Sequence, residues 1–435
     1  MGNIRALKGF KDIFEDEIEK HRRVEAAARK YLHCFGFKEI EVPLLERTEL
    51  FARGIGESTD IVEKEMFTFT DKGGDSVSLR PEATAGVVRA YIQHGLYERE
   101  KVTKLFTVGH MFRYERPQRG RLREFRQINV EVFGVKEPLI EAELIFMNSL
   151  ILKELGIEDY KIEINSVGCE MCRVRFVNVL RDYLRDKKPA LCEDCQRRLE
   201  RSPLRIFDCK KESCGTIIGG APLISESLCT ECRTHLERLA YSLSALSIEY
   251  VLNPRLVRGL DYYTRTVFEV SSDRLGAQKA FIAGGRYDSL VGLLGGPPVP
   301  GVGFAIGIER TSLLLPPLQA KRGPLFFFAS VGENARGYLY PLLRGFAVRG
   351  IPLTFSYEEK SLKAQMRYAD SLGADVVMIL GEEEIERQVV VLRDMHKGQQ
   401  MEVRLDVDTI LRAAISLRER NFFDFSPGDV LNKTE

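Results

Sequence analysis

The chain has almost no net charge and no long apolar run, and each absence limits the kinds of partner that we expect. Its 435 residues include 64 lysines and arginines against 63 acidic residues, which gives a formal net charge of +1. Overall charge therefore does not indicate a nucleic-acid partner, and any basic surface must be local. No apolar run approaches the ~18 residues that a membrane-spanning helix needs, so we expect no membrane partner.

The first seventeen residues are charged and lack the apolar core of a signal peptide. We therefore expect a cytoplasmic protein, in which the nine cysteines are reduced or metal-bound rather than paired in disulfides. The apolar fraction of 44% is ordinary for buried globular cores, and the length fits two or three domains.

Basic residues are concentrated in one segment of the chain. This segment contains six arginines: Arg113, Arg116, Arg119, Arg121, Arg123 and Arg126. Only Glu115 and Glu124 oppose them. A charge run of this kind is either a solvated face or a local site for an anionic ligand, and composition leaves both readings open.

The same segment lies between two predicted strands. Residues 105–114 and 125–133 have strand character, and residues 115–124 are rich in charge and turn formers, which predicts a hairpin with a long mobile loop. The other elements predicted before residue 316 are helices over 12–35, 137–155 and 306–315 and strands over 37–43, 161–165, 264–270, 277–283 and 302–305. Strands joined mostly by hairpins predict an antiparallel sheet carrying helices, an α+β fold.

A proline-rich stretch at 316–324 reads as a linker, after which the pattern changes. The elements predicted beyond it are strands over 325–330, 353–356 and 374–380 and helices over 333–349 and 361–372. Alternation of strand and helix predicts a separate α/β domain. The sequence contains no internal repeat and no low-complexity segment.

Several polar residues in these elements are candidates for a binding site. Glu82 and Thr84 offer a carboxylate and a hydroxyl two residues apart, although Glu82 could equally cap a helix. Arg113 is predicted on a strand that points into the core, where a guanidinium needs an anionic partner. That partner is either a structural carboxylate or a phosphate, which the planar guanidinium binds with two hydrogen bonds.

Four segments together resemble histidyl-tRNA synthetase, a class II aminoacyl-tRNA synthetase. They are residues 106–116, 125–131, 256–263 (containing Arg258-Gly259-Leu260-Asp261-Tyr262-Tyr263) and 303–310. Matching segments extend from about residue 7 to about residue 420. The resemblance implies a class II antiparallel-sheet catalytic core (1–166 and 254–317), an inserted helical, cysteine-rich domain (167–253), a C-terminal α/β anticodon-binding domain (324–421) and a tail (422–435). It also implies a homodimer, with the helix–strand pair that ends at Pro43 in the interface.

The resemblance implies a two-step reaction. Histidine and ATP, with Mg²⁺ on the phosphates, give histidyl-adenylate and pyrophosphate. The adenylate then esterifies the 3′ end of histidine tRNA and releases AMP. The carboxylate of the substrate is itself the nucleophile, which agrees with the lack of a convincing Ser-His-Asp or Cys-His arrangement in the sequence.

The resemblance assigns the nucleotide to a set of basic and aromatic residues. Arg113 and Arg258 would act on the α-phosphate as the catalytic cations, and Arg310 would bind the γ-phosphate end. Phe125 would stack on adenine, with Glu115, Arg121 and Arg123 near the nucleotide. Fixed cations aimed at the phosphorus oxygens would stabilise the charge that develops there in the transition state.

Histidine and tRNA are assigned to further residues on the same basis. The residues implied for histidine are Glu82 at its amino group, Thr84 beside it, Gln127 at the backbone end, Glu131 and Tyr263 at the ring nitrogens, and the adjacent Tyr262. Ordinary strand packing is the alternative for Glu131 and Tyr263. Gly284 and Gly285 would permit close approach of the backbone to a ligand. Arg116 and Gln118 would touch the tRNA acceptor end.

Eight of the nine cysteines form four pairs in the region of the insertion. These pairs are Cys169/Cys172, Cys192/Cys195, Cys209/Cys214 and Cys229/Cys232. Their spacing predicts one or two structural Zn²⁺ sites with four thiolates each, with the pairing left open. Buried reduced thiols, one intact site beside an empty one, or disulfides are the alternatives. His235 could replace one ligand. The resemblance does not itself imply zinc, because many relatives lack these cysteines.

Two other functions remain as alternatives. A regulatory subunit of ATP phosphoribosyltransferase has the same fold and histidine pocket but only binds its ligand, and a tRNA-like sensor module belongs to longer chains with kinase domains. The first type lacks the C-terminal domain and usually loses phosphate-binding arginines. The presence of Arg113, Arg258, Arg310 and a domain after residue 324 favours the synthetase.

Overall fold

The computed structural model describes residues 3–57, 59–209, 211–276, 278–317 and 324–417. The chain divides into two compact units, Met1–Leu318 and Gln319–Glu435. The predicted tail at 422–435 and the linker residues 318–323 lie outside the described residues.

The first unit is built on an eight-stranded sheet and a three-stranded sheet. Its strands are β1 Lys38–Glu39, β2 Leu45–Arg47, β3 Phe67–Thr70, β4 Ser76–Leu79, β5 Thr103–Phe112, β6 Glu124–Phe133, β7 Lys161–Ser166, β8 Val251–Leu252, β9 Thr264–Ser271, β10 Ala280–Arg286 and β11 Gly301–Gly307. The large sheet has the order β1-β5-β6-β11-β10-β9-β7-β8, and the small sheet has the order β2-β4-β3. The six central strands are antiparallel, and β1 and β8 add parallel edges. The predicted antiparallel α+β core is confirmed.

Helices cover this sheet and form the region between β7 and β8. They are α1 Glu15–Cys34, α2 Thr48–Ile55, α3 Thr84–Gln93, α4 Leu96–Arg99, α5 Leu139–Glu154, α6 Glu170–Leu184, α7 Glu193–Arg201, α8 Glu212–Gly219, α9 Thr230–Ala245, α10 Leu290–Leu293 and α11 Ile308–Ser312. Shorter turns are a π-helix at Ile61–Glu65 and 3₁₀ helices at Lys188–Ala190, Pro203–Asp208, Ile224–Ser227 and Asp273–Leu275. The predicted helical insertion therefore consists of α6–α9 with three of these 3₁₀ helices.

Strand β6 shows why one face of the sheet is core and the other is a cavity. Ile128, Val130 and Val132 are fully buried in the main apolar cluster with α1 and α5. Side chains alternate across a strand, so the residue that precedes each of these three must point to the opposite face. Those residues are Gln127, Asn129 and Glu131, all polar. The sequence of β6 thus places a polar row on the other side of a well-packed sheet.

Three predicted elements of the first unit are wrong in extent. The helix predicted over 306–315 is limited to α11, because Ile306 and Gly307 continue β11 and pair with Ile128 and Gln127 of β6. The strand predicted over 37–43 shortens to β1, whose two residues pair with Leu105 and Phe106. The strand predicted from 277 begins at Ala280, and Ala277 itself lies outside the described residues.

The second unit contains one five-stranded sheet with helices. Its strands are β12 Phe326–Ser330, β13 Leu353–Phe355, β14 Val376–Leu380, β15 Val389–Asp394 and β16 Gln400–Arg404, and its helices are α12 Glu333–Gly337, α13 Leu339–Ala347, α14 Leu362–Ser371, α15 Glu382–Glu386 and α16 Val407–Leu417. The sheet order is β13-β12-β14-β15-β16, parallel for the first three strands and antiparallel for the rest. The helix predicted over 333–349 is divided at Tyr338, since Pro341 cannot donate the helical hydrogen bond to Gly337.

Candidate active site

A cavity of about 300 Å³ lies on the polar face of the large sheet, within the first unit. The predicted site residues that line it are Glu82, Thr84, Arg113, Glu115, Arg121, Phe125, Gln127, Glu131, Arg258, Tyr262, Tyr263 and Arg310. The fold thus brings together twelve residues that are spread over more than 200 positions of the sequence. Arg123, Arg116 and Gln118 are not among the lining residues.

The carboxylate of Glu131 is fixed at the inner end of the cavity by two hydroxyl groups. Thr84 donates a hydrogen bond of 2.6 Å to Oε1, and the hydroxyl of Tyr287 donates to Oε2. Glu131 is 2% exposed. Burial, with a smaller contribution from Glu82, raises the pKa of Glu131 to about 8, although both hydroxyl groups oppose this shift. Near neutral pH this side chain holds a proton that a ligand can share.

Strand β11 provides the space that this carboxylate occupies. Gly303 pairs with Glu131, and a Cβ on Gly303 would lie 2.1 Å from Glu131 Oε2. Any larger residue at this position would therefore displace the carboxylate.

Glu82 caps a helix and lines the cavity at the same time. Its carboxylate accepts hydrogen bonds from the backbone N–H groups of Thr84, at 2.6 Å, and Ala85, at 2.9 Å, at the start of α3. The pKa of Glu82 is raised by burial, which outweighs these donors and the charge of Arg113. The two interpretations of Glu82 made from the sequence are compatible.

Two adjacent tyrosines form another part of the lining. The rings of Tyr262 and Tyr263 lie 4.7 Å apart between centroids, and both side chains are buried. Burial raises the pKa of both hydroxyl groups, with a further contribution at Tyr262 from the neighbouring Tyr263. Both groups therefore stay protonated and can donate a hydrogen bond to a ligand.

Arg113 lies one residue beyond the end of β5 and is oriented by its neighbours. Its Nε donates to the carbonyl oxygen of Pro81 at 2.8 Å, and its guanidinium lies 5.4 Å from the ring centroid of Phe125. Burial lowers the pKa of Arg113. The prediction that it belongs to the strand itself is wrong by one residue, because β5 ends at Phe112.

Arg310, on α11, is held in a similar way by backbone carbonyl groups. Its Nε donates to Gly120 and its Nη1 to Ala280, both at 2.8 Å. Burial, together with the charges of Arg121 and Arg113, lowers the pKa of Arg310 to about 10. Within the part of the chain that the structure describes, no carboxylate lies within ion-pair distance of Arg113 or Arg310. The site therefore contains two guanidinium groups that are held by backbone carbonyl groups and not by ion pairs.

The other two lining arginines are paired with acidic residues. Arg258 forms an ion pair with Glu269 of β9, and Arg121 forms one with Glu115. Burial lowers the pKa of Arg258, but Glu269 together with Tyr263, Asp208 and Tyr262 outweighs burial, so the pKa of Arg258 is raised. Arg258 is thus a permanent cation whose position is set by a carboxylate on the neighbouring strand.

Three buried polar atoms in the lining have no hydrogen-bond partner among the described residues. They are Gln127 Oε1, Asn129 Nδ2 and Arg258 Nε. Buried polar groups in folded proteins are nearly always satisfied, so such a group needs an explanation. A cavity that collects unsatisfied donors and acceptors beside unpaired cations fits a polar, anionic ligand.

Five polar lining residues were not predicted from the sequence: Asn129, Glu269, Gln278, Tyr287 and Glu309. Asn129 could have been found, because it lies between Gln127 and Glu131 on a strand of period two. Glu309 is adjacent to Arg310, and its Oε1 accepts the backbone N–H of Arg126 at 2.8 Å. The other three carry no local signal, since only the folding of the chain brings them into the cavity.

The structure gives the glycine pair at 284–285 a packing role. A Cβ on Gly284 would lie 2.3 Å from the carbonyl oxygen of Gly303, and one on Gly285 would lie 2.4 Å from that of Thr266. Both glycines therefore permit close approach of β10 to its two neighbouring strands. Neither glycine lines the cavity, and their approach to a ligand stays a prediction.

Three predicted residues lie in the loop outside the cavity. The guanidinium of Arg123 stacks on Tyr114, 3.6 Å from the ring centroid, and its Nε donates to the carbonyl oxygen of Glu115 at 3.1 Å. Arg116 and Gln118 are exposed. A backbone bridge joins Gln118 to Arg121 and folds this loop back towards the cavity.

The eight paired cysteines form two compact clusters. Cluster 1 contains Cys169, Cys172, Cys229 and Cys232, and cluster 2 contains Cys192, Cys195, Cys209 and Cys214. Within each cluster the four sulfur atoms lie within 4.8 Å of one another. All nine cysteines are free. His235 is not a member of either cluster, and its Nε2 lies 2.7 Å from Glu141.

Both clusters have the donor arrangement of a thiolate metal site. Four sulfurs bound tetrahedrally to zinc lie about 3.8 Å apart, given a Zn–S bond of about 2.3 Å. The Sγ atoms of Cys169 and Cys172 are 3.6 Å apart, and those of Cys192 and Cys209 are 3.9 Å apart. The backbone N–H groups of Cys229 and Cys192 donate to Cys172 and Cys214. In each cluster the four cysteines are therefore arranged as a metal ion would require.

The fold and the cavity define a class II aminoacyl-tRNA synthetase. The family model of histidyl-tRNA synthetase matches residues 9–177 and 221–311, and the anticodon binding domain matches residues 327–413. A histidine–tRNA ligase of Desulfosudis oleivorans is 48% identical over 422 residues, which cover 96% of this chain and 100% of that protein. A histidine–tRNA ligase of Thermodesulfovibrio yellowstonii is also 48% identical, over 92% and 96% of the two chains.

A solved structure leads to the same conclusion. The crystal structure of apo S. aureus histidyl-tRNA synthetase has a TM-score of 0.77 at 33% identity, over 94% of this chain and 99% of that one. The chain belongs to the histidyl-tRNA synthetase family. The predicted enzyme class and reaction, ligation of histidine to tRNA, are thereby confirmed, and ATP with Mg²⁺, histidine and tRNA are the reactants of this class.

Across the described residues, no helix combines the length and apolar character that crossing a membrane requires.

Proposed function

We propose that the cavity binds histidine and ATP side by side and joins them as histidyl-adenylate. The observation that carries this proposal is that two half-buried arginines, Arg113 and Arg310, which have no carboxylate partner among the described residues, line the same cavity as Glu131, whose carboxylate is fixed by Thr84 and Tyr287. Arg113 and Arg310 suit phosphate oxygens, and Glu131 suits an imidazole. A guanidinium is well matched to phosphate because its planar fork donates two parallel hydrogen bonds to two phosphate oxygens.

Histidine binds at the inner end, beside Glu131. Glu131 and Tyr263 contact the two ring nitrogens, and Glu82 with Thr84 receives the amino group. Gln127, whose Oε1 has no partner among the described residues, contacts the backbone end, and Tyr262 packs beside Tyr263. A site of buried polar groups discriminates strongly, because an analogue that leaves them unpaired loses affinity, often by ~10⁴-fold.

ATP binds at the end of the cavity that Arg113, Arg258 and Arg310 line. Arg113 and Arg258 contact the α-phosphate, Arg310 contacts the γ-phosphate end, and Phe125 stacks on adenine. Glu115 and Arg121 form the adjoining wall. Arg123 does not line the cavity, and we therefore propose no contact between Arg123 and ATP. The carboxylate of histidine attacks the α-phosphorus and pyrophosphate leaves. Arg113 and Arg258, fixed by Pro81 and Glu269, stabilise the charge that builds on the phosphorus oxygens without having to reorganise.

In the second step a hydroxyl group at the 3′ end of histidine tRNA attacks the carbonyl carbon of the adenylate, so the histidyl group forms an ester with the tRNA and AMP leaves. The exposed Arg116 and Gln118, on the loop beside the cavity, contact the acceptor end. Neutralisation of tRNA phosphates releases counterions, so this binding weakens as salt rises.

Exchange of labelled pyrophosphate into ATP tests the first step. The purified chain should catalyse exchange only when histidine is present, and charging of histidine tRNA should follow when tRNA is added. A chain that binds histidine but catalyses no exchange would instead be a binding protein of the regulatory-subunit type.

We also propose that each cysteine cluster binds one structural Zn²⁺. The sulfur separations, the backbone N–H donors to sulfur and the free state of all eight thiols support this assignment. Four thiolates leave no open position on zinc, so the metal stabilises the insertion and takes no part in the chemistry. Elemental mass spectrometry of protein purified in reducing buffer should find about two zinc ions per chain, and a content near zero would refute the assignment.

The domain boundaries, the dimer and the compartment are part of the same proposal. The catalytic core comprises 1–166 and 254–317, the insertion 167–253 and the anticodon-binding domain 324–421, in a cytoplasmic homodimer. Leu44 and Leu45, directly after Pro43, are 45% and 40% exposed, which suits an interface near the helix–strand pair. Light scattering coupled to size exclusion should give twice the mass of 49.5 kDa, and the monomer mass would refute the dimer.

A further inference from the structure

The segment that carries Arg258, Tyr262 and Tyr263 has no regular secondary structure of its own. It is the connection between β8, which ends at Leu252, and β9, which begins at Thr264. We refer to residues 256–263 as the histidine loop, since they supply three of the residues assigned to the substrates. A loop without sheet or helix hydrogen bonds must be held by other contacts if its side chains are to stay in place.

One such contact comes from cluster 1. Arg173 follows Cys172 on α6, and its Nη1 donates to the carbonyl oxygens of Asp261 and Tyr263, both at 3.1 Å. Close by, the backbone N–H of Arg265 donates to Gly168, the residue before Cys169, at 2.9 Å. Cluster 1 is therefore attached to the C-terminal end of the histidine loop.

A second contact comes from cluster 2. Arg205 lies on the 3₁₀ helix Pro203–Asp208, which leads directly into Cys209, and its Nη1 donates to the carbonyl oxygen of Gly259 at 2.9 Å. The side chain of Arg205 is 12% exposed and is braced by Asp208, at 3.2 Å, and by Asp60 of the core, at 3.3 Å. Cluster 2 is thus attached to the middle of the same loop.

We infer that the two cysteine clusters, through Arg173 and Arg205, hold the histidine loop in the conformation that binds histidine. The inference rests on the proposed histidine site and on the proposed metal, and it assigns the insertion a task in the first step of the reaction, which needs no tRNA. Both arginines are positioning residues, since they hold backbone carbonyl groups and do not line the cavity.

The physical reason is pre-organisation. A loop that is ordered before the ligand arrives does not lose conformational freedom at binding, so the affinity is higher. Arg173 and Arg205 together hold three carbonyl groups of an eight-residue segment. Their loss should therefore weaken histidine binding more than ATP binding, because the loop supplies both tyrosines beside Glu131 but only one of the three phosphate-binding arginines.

The test compares Arg173→Ala, Arg205→Ala and the milder Arg173→Lys and Arg205→Lys with a matched control on the same helix. Arg181→Ala is that control, because Arg181 donates only to carbonyl groups inside the insertion, those of Leu199 and Glu200. For each zinc-containing protein the KM values for histidine and for ATP are measured by pyrophosphate exchange without tRNA. Hydrogen–deuterium exchange of peptides that cover 256–264 reports the order of the loop directly.

We expect the KM for histidine to rise by at least about fivefold in both alanine variants, as loss of a charge-assisted hydrogen bond predicts. The KM for ATP should change by less than about twofold, the loop amides should exchange faster, and Arg181→Ala should match the wild type. Wild-type protein stripped of metal should show the same faster loop exchange and a weaker histidine affinity by calorimetry.

The inference and the proposed function fail in different ways. If the wild type shows histidine-dependent exchange but the alanine variants keep its histidine KM and loop protection, the inference is overturned and the proposed function stands. If metal removal leaves loop exchange and histidine affinity unchanged, the assignment to the clusters is overturned. If the wild type shows no histidine-dependent exchange, the proposed function itself fails, and the inference with it.

Discussion

Tyr287 and Glu131 form a hydrogen bond at the inner end of the cavity, although they are separated by 156 positions in the sequence. Tyr287 directly follows β10, and its backbone N–H is fixed to the carbonyl oxygen of Gly301 at 2.7 Å. Glu131 lies on β6, two strands away. The hydroxyl of Tyr287 therefore determines where the carboxylate of Glu131 points before any ligand arrives.

The first prediction removes that hydroxyl. Tyr287→Phe keeps the ring but deprives Glu131 of a donor, which should cost about 1.5 kcal/mol and raise the KM for histidine by about tenfold. The KM for ATP should change little, because the hydroxyl of Tyr287 binds Glu131 and is assigned no contact with the nucleotide. Pyrophosphate exchange at varied histidine measures both values. Tyr160→Phe, on a partly buried tyrosine of the main core, controls for loss of a hydroxyl elsewhere.

A second prediction concerns pH. Free histidine has an imidazole pKa of about 6.5, and the pKa of Glu131 is raised to about 8, so between these values the two groups together carry one proton. One hydrogen bond shared by the carboxyl group of Glu131 and the imidazole requires one proton. Below about pH 6.5 one proton must be lost on binding, and above about pH 8 one must be gained. We expect kcat/KM for histidine to be bell-shaped, with limbs near these two values.

Glu131→Gln identifies the origin of the alkaline limb. Glutamine cannot titrate, so the variant should have a lower kcat/KM and no limb near pH 8, whereas a limb that belongs to the amino group of histidine would remain. A variant with an unchanged alkaline limb would show that Glu131 does not hold the shared proton.

The site could be predicted from the sequence wherever its residues belong to strong local patterns. Strands β5 and β6 were predicted within two residues, because their alternation is clear and their register determines which residues share a face. Gln127 and Glu131 were assigned through the resemblance and lie on one of these strands. Arg113 was found because a guanidinium predicted on a strand that points into the core needs an anionic partner, whereas Arg258 and Arg310 were found through the resemblance alone.

The remainder depended on contacts that the sequence does not encode locally. Glu269 meets Arg258 because the loop before β9 folds back beside that strand, and Tyr287 reaches Glu131 across two strands. The pairing of cysteines into two clusters was likewise open, since four spaced pairs allow several combinations. In the structure α6 and α9 bring together the first and last pairs, and α7 and α8 bring together the middle two.

A third prediction separates the two unpaired arginines. Lysine keeps the charge but loses the fork-shaped donor set, so Arg113→Lys should lower kcat of exchange by about 10²-fold or more, because charge develops at the α-phosphorus. Arg310→Lys should act mainly on the KM for ATP, since the γ-phosphate end is remote from the bond that forms. Arg119→Lys, on an exposed residue of the same basic segment, is the control and should leave both parameters near wild type. Equal effects of the first two variants on kcat and KM would contradict the assignment.

A fourth prediction tests the loop outside the cavity. Arg116→Ala and Gln118→Ala should raise the KM for histidine tRNA severalfold, and the Arg116 variant should show a smaller dependence of that KM on salt, because one phosphate contact is lost. Exchange without tRNA provides the comparison within each variant. Loss of exchange in parallel with charging would instead place these residues at the nucleotide.

The fifth prediction concerns a buried ion pair of the core that a histidine of the insertion also contacts. Arg286 binds Glu141 through two hydrogen bonds of 2.8 and 2.7 Å, and His235 of α9 lies 2.7 Å from the same carboxylate. Glu141 and Arg286 are 0% and 1% exposed. Removal of one partner from a buried pair leaves the other charge uncompensated, so Glu141→Gln should lower the free energy of unfolding by about 3 kcal/mol.

The free energy of unfolding that Glu141→Gln loses should depend on pH in a defined direction. Burial raises the pKa of Glu141, but the hydrogen bonds from His235 and Arg286 outweigh burial and hold the pKa below its ordinary value of 4.5. The stabilisation is therefore complete above about pH 4.5 and is lost as the pH falls through the lower folded-state value. The gap between wild type and Glu141→Gln in urea midpoint should be largest near pH 7 and should narrow below pH 4. Glu143→Gln, on the same helix but in a partly exposed pair with Lys104, should cost less than about 1 kcal/mol. A gap that widens towards acid pH would mean that the pair is not the source of the stability.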